Sequence, residues 1–116
     1  MEKHVVSLEI AKQLKEVGWK KETEFWWAKH KITFKGYINS WDICDYQPAV
    51  DLYEQYSAPL ATEILEEIKG KVSIQITYSK EVGLRITDLK SGIYFTDTLP
   101  NALAQMWLYL KKEGKV

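Results

Sequence analysis

The spacing of apolar residues near the start of the chain predicts a first helix. Ile10, Leu14 and Val17 recur at intervals of four and three, which places them on one helical face. Ser7 can cap the start, because its hydroxyl accepts a hydrogen bond from an otherwise unpaired backbone N–H. Gly18 suits the left-handed conformation that commonly ends a helix. A helix is therefore expected between these two residues.

Two further helices are predicted by the same spacing. The second starts near Ser57, with Pro59 in its first turn, where a missing N–H costs nothing, and it ends at Gly70. The third starts near Thr98 and ends at Gly114. Their apolar positions are Leu60, Ile64, Leu65 and Ile68 in the second helix, and Leu99, Leu103, Met106, Trp107 and Leu110 in the third.

Strands are predicted where apolar and polar residues alternate. Residues 22–28 and 32–34 form one pair, joined by a link short enough for a hairpin. Residues 72–79, 84–87 and 93–96 form three more strands with glycine-containing turns between them. Strands joined by short turns pair antiparallel, since a parallel pair needs a long crossover.

The stretch 36–56 follows neither period for long. It is either an irregular functional loop or a segment with short elements that the pattern does not resolve. With this stretch left open, the predicted order is αββαβββα. That order favours a single α+β domain over residues 1–116, a two-layer sandwich in which three helices cover one face of an antiparallel sheet.

Aromatic residues are abundant. The chain has five Trp, seven Tyr and three Phe among its 116 residues. Each ring can bury roughly 150–250 Å², and a domain of this size hides only about two-thirds of the surface of its unfolded chain. Some rings are therefore expected to stay partly exposed, and a cluster of exposed rings would mark a contact surface.

Charge is balanced over the whole chain but not along it. Sixteen Lys and Arg offset sixteen Asp and Glu, so net charge gives no reason to expect a polyanionic partner. Residues 37–69, however, hold seven acidic residues and one lysine, together with several Tyr and Trp. An acidic, aromatic surface suits a basic site on another protein, because charge steers the encounter and rings anchor the complex. The residues predicted to bind such a partner are Trp41, Asp42, Asp45, Tyr46 and Tyr53. The structural alternative is a solvated surface with no partner.

A second hypothesis places a small ligand on the lysine-rich segment before this stretch. Lysine attracts phosphate and indole rings can stack on bases, so a nucleotide could bind there. The residues concerned are Trp26, Trp27, Lys29 and Lys31. The structural alternative is that lysines on an edge hairpin prevent strand-to-strand aggregation. Arg85 is the one arginine in the chain, so sequence-specific reading of nucleic acid is not expected.

Few residues are candidates for chemistry. Cys44 lies between Asp42 and Asp45, whose charges would oppose thiolate formation. His4 and His30 lack the close spacing of a metal-ligand motif, and the sequence contains no glycine-rich phosphate loop. No catalytic residue, metal or cofactor is therefore predicted. A cryptic enzyme that uses Cys44 or Asp42 is the third hypothesis.

The sequence also favours a cytoplasmic protein. No apolar run reaches the roughly 18 residues of a membrane span, and the N-terminus lacks the apolar region of a signal peptide. Surplus aromatic rings can be buried between two copies of a chain, so a homo-oligomer is compatible with every hypothesis.

Three segments resemble a family of small bacteriophage and prophage proteins. Residues 7–18, followed by Phe25-Trp26-Trp27, look like the opening of that family, residues 56–67 look like its middle helix, and residues 98–110 look like its closing helix. The family has no catalytic motif, so the resemblance transfers no functional residue. It implies a viral or prophage source in a bacterial cytoplasm, where small accessory proteins often act by binding, including against host defence systems. The leading hypothesis is thus a non-enzymatic accessory protein that binds a host macromolecule.

Overall fold

The structure, a computed structural model, describes residues 3–31 and 40–116. These residues form three helices and six strands in the order αβββαβββα. The helices are α1 (Leu8–Val17), α2 (Ala61–Ile68) and α3 (Leu99–Lys112). The strands are β1 (Trp26–His30), β2 (Asp42–Cys44), β3 (Tyr53–Ser57), β4 (Ile74–Ser79), β5 (Gly83–Asp88) and β6 (Tyr94–Thr96). The predicted α+β class is confirmed.

The strands of the described residues pair antiparallel and form two sheets. The first has the order β2-β1-β3 and the second has the order β4-β5-β6. The sequence pattern predicted one sheet. The division arises because β3 pairs back onto β1, and α2 then separates β3 from β4 along the chain. The strand predicted at residues 32–34 lies outside the described residues.

The first sheet includes two strands within the stretch that the pattern left open. In register, Trp27 of β1 lies opposite Ile43 of β2 and Tyr56 of β3. β2 has three residues, too few to show an alternating pattern, and β3 carries polar and aromatic residues on both faces. Pairing with β1, rather than their own hydrophobic pattern, therefore defines these strands.

The predicted helix boundaries are confirmed for α1 but not for α2. The Ser7 hydroxyl accepts a hydrogen bond from the N–H of Ile10 at 3.4 Å, and Gly18 ends the helix at φ +104°. The prediction that the second helix starts near Ser57 is wrong, because this residue still pairs with β1. The helix begins after Leu60, which is its N-cap residue.

One hydrophobic core joins the three helices to both sheets. Leu14 of α1, Ile64 of α2 and Leu103 of α3 are fully buried and belong to one cluster. Trp27 of the first sheet and Ile86 of the second sheet belong to the same cluster. Burial of apolar surface in a shared core, worth about 25 cal/mol per Å², therefore holds both sheets to the helices.

Some apolar positions of the predicted helical stripes are not buried. Val17, Leu65 and Leu99 are exposed. In α2 the buried positions are Ile64 and Ile68. The face of this helix that enters the core is therefore narrower than the apolar face predicted from the sequence. None of the helices in the described ranges combines the length and hydropathy that crossing a membrane requires.

The expected surplus of aromatic rings is confirmed in the described residues. The buried rings are Trp19, Trp27 and Trp107, and the most exposed are Tyr46, Tyr78 and Tyr94. The exposed rings lie on both sheets, so exposure of aromatic residues alone does not single out one site.

Candidate functional site

The residues predicted to bind a partner or a ligand lie on the two faces of the first sheet. On one face, Trp27 is flanked by Ile43 and Tyr56, and α1 packs on this side. On the opposite face, Ala28 is flanked by Asp42 and Gln55. We call these the α1 face and the loop face. Because successive residues of a strand point to opposite faces, neighbours in the sequence are divided between the two.

The loop face takes its name from residues 45–52, which connect β2 to β3. These strands lie on either side of β1, so their connection has to cross it. The side-chain amide of Gln55 donates a hydrogen bond to the carbonyl of Pro48 at 3.0 Å, and Pro48 is buried. The loop is thereby anchored onto the sheet, and Ala28 beneath it is buried.

The outer side of this loop is apolar and exposed. Tyr46 is 64% exposed, Val50 61% and Leu52 45%. Isolated exposed apolar residues are normal on a protein surface. Three exposed apolar residues in one short loop make this loop a candidate for contact with another molecule.

Three aspartates accompany these apolar residues. Asp42, Asp45 and Asp51 are exposed, and none forms an ion pair with a described residue. Their negative charge is therefore available to an external cationic group. We call this combined surface the β2–β3 patch, which consists of Asp42, Asp45, Tyr46, Val50, Asp51 and Leu52.

A cleft of about 340 Å³ adjoins the patch on the loop face. Its lining residues are Ala28, His30, Ser40, Asp42, Cys44, Tyr46 and Tyr53. The Tyr53 ring packs on the His30 ring with centroids 4.4 Å apart. The structure thus brings together three of the five residues predicted to bind a partner, namely Asp42, Tyr46 and Tyr53. Asp45 lies at the start of the adjoining loop, and Trp41 lies on the α1 face.

Cys44 is not placed as an activated nucleophile. Burial raises the pKa of its thiol, and the charges of Asp42 and Asp45 raise it further. Cys44 pairs with Trp26 at the start of β1, whereas His30 is at the end of that strand. Four strand residues correspond to about 13 Å along β1 between the backbone positions of Trp26 and His30.

In the part of the chain that the structure describes, no group of side chains forms a candidate metal site. No three His, Cys, Asp or Glu side chains in residues 3–31 and 40–116 come together in a way that could hold an ion. The aspartates of the β2–β3 patch therefore remain groups that contribute charge to the surface.

The α1 face carries a second candidate site, which the sequence analysis did not recognise. The rings of Trp41 and Tyr56 lie 5.7 Å apart at an interplanar angle of 40°. The ammonium group of Lys12 is 5.4 Å from the Trp41 centroid, that of Lys29 is 5.5 Å from the same ring, and that of Lys15 is 5.1 Å from Tyr56. We call these five residues the lysine cluster.

The electrostatics of the lysine cluster are mixed. None of its three lysines forms an ion pair with a described residue. The hydroxyl of Tyr56 donates to the Glu54 carboxylate at 3.4 Å. Burial raises the pKa of Tyr56, and the charges of Glu54 and Glu16 raise it further. Three ammonium groups thus stand against two nearby carboxylates, which leaves an excess of positive charge.

The four residues predicted to bind a nucleotide do not form one site. Trp27 is buried and its indole N–H donates to the carbonyl of Val6 at 2.9 Å, so its ring is not open to a ligand. Trp26 alternates with Trp27 along β1 and is half-buried, and it lines a cleft of about 240 Å³ together with Lys15 and Tyr56 of the lysine cluster. Lys29 belongs to the lysine cluster, and Lys31 donates to the carbonyl of Val50 at 3.1 Å.

A signal for the lysine cluster was present in the sequence. Lys12 and Lys15 are three residues apart, so they share a helical face. Their aromatic partners, Trp41 and Tyr56, both belong to the stretch whose strands had not been resolved. Without the pairing of β2 and β3 with β1, no pattern could place those rings under α1.

Comparison of the chain with protein-family models, with curated proteins and with solved structures gives no match. The candidate functions therefore follow from the chemistry of the two faces of the first sheet. The β2–β3 patch combines exposed apolar area with negative charge, and the lysine cluster combines two neighbouring rings with positive charge.

Proposed function

We propose that the protein is a non-enzymatic binding protein whose β2–β3 patch docks on a basic site of another protein. One observation carries this proposal: three exposed apolar side chains and three aspartates that form no ion pair with a described residue occupy the same strand end and loop. Exposed apolar surface gains about 25 cal/mol per Å² when it is buried. The aspartates favour a cationic partner and speed the encounter.

The anchoring of the loop also supports binding. The hydrogen bond from Gln55 to Pro48 and the burial of Pro48 fix the loop before any partner arrives. A loop that is already ordered loses less conformational entropy when it docks. The patch therefore retains a larger share of the free energy that its contacts supply.

The resemblance to bacteriophage and prophage proteins suggests where such binding takes place. In this proposal the chain is a phage or prophage accessory protein in a bacterial cytoplasm, and its partner is a host protein. A component of a host defence system is one such partner. The half-buried thiol of Cys44, with its raised pKa, supports a binding role over thiol catalysis.

The double variant Tyr46→Ala, Asp45→Asn should lose its partner. Removing an exposed aromatic anchor and a steering charge is expected to lower affinity about tenfold or more, while the melting temperature stays unchanged because both side chains are exposed. The measurement is quantitative capture from a bacterial lysate by tagged protein, with Tyr94→Ala, an exposed tyrosine on the second sheet, as the matched control. Equal capture of the same protein by the double variant and the wild type would refute the assignment.

A second candidate function is supported by the lysine cluster. Phosphate groups would meet three ammonium groups there, and a base could stack beside Trp41 and Tyr56. The chemistry is that of a nucleoside phosphate held by charge and stacking. This site involves Lys29 of the predicted set, together with Lys12 and Lys15 from α1.

Titration with ATP, GTP, CTP and UTP tests this second function through tryptophan fluorescence. We expect quenching that saturates in the wild type and is lost in the double variant Lys12→Gln, Lys29→Gln, because each lysine lies close to the Trp41 ring. Lys111→Gln is the matched control, since Lys111 lies 6.0 Å from the ring of Trp107 in the core. A flat response of the wild type to all four nucleotides at millimolar concentration would exclude nucleotide binding at the cluster.

A further inference from the structure

β4 is an edge strand of the second sheet, and among the described residues β5 is its one strand partner. The N–H of Leu89 donates to the carbonyl of Ser73 at 3.1 Å, so these two residues form a hydrogen-bonded pair. Because such pairs alternate along an antiparallel ladder, the N–H and C=O groups of Ile74, Ile76 and Tyr78 point outward. No described strand pairs with this outer row of donors and acceptors.

The neighbouring strand supports this assignment. The N–H of Asp88 donates to the carbonyl of Ile93 at 2.8 Å, on the side of β6. Asp88 pairs in register with Ile74, so the pair at that position exchanges no bonds between β4 and β5. The backbone groups of Ile74 therefore point outward, and this conclusion is independent of the bond between Leu89 and Ser73.

The side chains of β4 extend an apolar face that α3 leaves open. Ile76 lies in register with the buried Ile86 and with Phe95, which contacts Tyr109 of α3. That helix packs against β5 and β6. On β4, Ile76 is 46% exposed and Tyr78 is 76% exposed. The core face of the second sheet thus continues past the helix onto an edge strand that contacts solvent.

β4 also lacks the features that usually protect an edge strand. Residues 72–79 contain no charged residue, no proline and no glycine. Natural edges are normally short, or are interrupted by lysine, proline or a bulge. Among the edges in the described residues, β2 and β6 have three residues each and β3 carries Glu54, whereas β4 has six uncharged residues. An edge of this kind is complementary to another strand.

We propose that β4 pairs with β4 of a second copy of this chain, antiparallel about a two-fold axis, to form one continuous six-stranded sheet. In the register that pairs every outward backbone group, Ile76 lies opposite Ile76 of the second copy, and Ile74 lies opposite Tyr78. Each of these hydrogen-bonded pairs exchanges two N–H···O bonds. The exposed apolar side chains of the two copies then form one shared surface, as a self-complementary two-fold interface requires.

Charge complementarity favours a second copy as the occupant. The uncharged strand does not repel itself, and the first charged residues beyond it are Lys71 before the strand and Lys80 and Glu81 after it. Antiparallel pairing centred on Ile76 brings the start of one strand beside the end of the other, with Lys71 level with Glu81 of the second copy. By symmetry this pairing of opposite charges occurs twice.

The oligomeric state in solution tests the proposal, by sedimentation equilibrium from about 1 to 500 µM. We expect the wild type to approach twice the 13.5 kDa of the chain as concentration rises. Ile76→Lys should remain monomeric, because it places two lysines opposite each other at the axis. Tyr78→Lys, at a more exposed position, should weaken the dimer without affecting the fold, and Tyr94→Lys on the other edge should leave it intact.

Mixing charge variants tests the register itself. Ile76→Lys and Ile76→Glu should each be monomeric alone and should form a dimer when mixed in equal amounts, since position 76 faces itself. A wild type that stays monomeric at 500 µM, or an Ile76→Lys protein that still dimerises, would overturn the proposal. Because β4 lies on the second sheet, the monomeric variants should still capture the partner of the β2–β3 patch.

Discussion

Trp27→Ala should lower the free energy of unfolding by about 3–5 kcal/mol, the range for removing a large aromatic side chain from a core. Trp27 is 8% exposed and belongs to the shared hydrophobic cluster. Its indole N–H donates to the carbonyl of Val6, which precedes α1. The substitution would leave a cavity between β1 and the N-terminal segment and an unpaired buried carbonyl. Urea unfolding followed by circular dichroism measures the loss.

Two matched variants separate the causes. Trp27→Phe retains most of the ring but lacks the donor, so it should cost about 1–3 kcal/mol for the carbonyl left unpaired, together with a smaller loss of packing. Trp26→Ala removes a neighbouring, half-buried indole and should cost less than Trp27→Ala. Equal losses for Trp26→Ala and Trp27→Ala would contradict the deeper burial of Trp27 in the core.

Asp88→Ala should lower the free energy of unfolding by about 2–3 kcal/mol at neutral pH, because hydrogen bonds to a charged group are worth about 1.5–3 kcal/mol. The Asp88 side chain is 1% exposed. Its carboxylate accepts hydrogen bonds from the Ser91 hydroxyl at 2.7 Å and from the N–H of Lys90 at 3.2 Å. The ammonium group of Lys115 lies 3.7 Å away. One carboxylate thus ties the turn between β5 and β6 to the segment after α3.

The same carboxylate makes stability depend on pH. The hydrogen bond from Ser91 lowers the pKa of Asp88 most, burial opposes it, and Lys90 and Lys115 lower it further. A lowered folded-state pKa means that the stabilisation is complete above the unfolded-state pKa of about 4 and is lost as pH falls through the folded-state value.

The stability gap between wild type and Asp88→Ala should therefore narrow as pH falls from 7 to 2.5. Asp51→Ala, at an exposed aspartate without an ion pair among described residues, should show almost no gap at any pH. A gap for Asp88→Ala that stays constant down to pH 2.5 would contradict the role of the charged carboxylate.

The helices were readable from the sequence because their signals are local. Ser7 and Gly18 fix the ends of α1 through their own backbone and side-chain chemistry. The pattern failed at α2, where Ser57 resembles a cap but completes β3 instead. A residue that suits both a strand end and a helix cap is assigned by its tertiary partner, which no local pattern contains.

β1 was predicted with shifted bounds, as residues 22–28 followed by a hairpin link at residues 29–31, whereas the strand continues to His30. β2 and β3 were not predicted, and β3 gave no periodic signal because both of its faces are covered. α1 lies over one face and residues 45–52 lie over part of the other, so β3 does not alternate between apolar and polar residues. In the second sheet, Gln75 and Thr77 face solvent, and the alternation was correctly read as strand. A strand that is covered on both faces therefore lacks the alternation of apolar and polar residues that a strand covered on one face shows.

The acidic, aromatic composition of residues 37–69 indicated where the candidate site lies, but strand pairing determines which of its side chains share a surface. The acidic, aromatic stretch does form an exposed surface at Asp45 and Tyr46. Trp41 was predicted to belong to it, yet its ring lies on the α1 face beside Tyr56, whereas its neighbour Asp42 lines the cleft on the loop face. A strand turns adjacent residues to opposite sides, so a set chosen by sequence proximity is divided.

Site-specific photocrosslinking in living bacteria shows whether the β2–β3 patch contacts another protein. A benzoylphenylalanine that replaces Tyr46 places the reactive group at the most exposed apolar position of the patch, and the same replacement at Tyr94 provides an exposed control on the second sheet. We expect a covalent adduct of a distinct second protein from position 46 and none from position 94. Adducts of equal yield at both positions, or no adduct at position 46, would contradict the account.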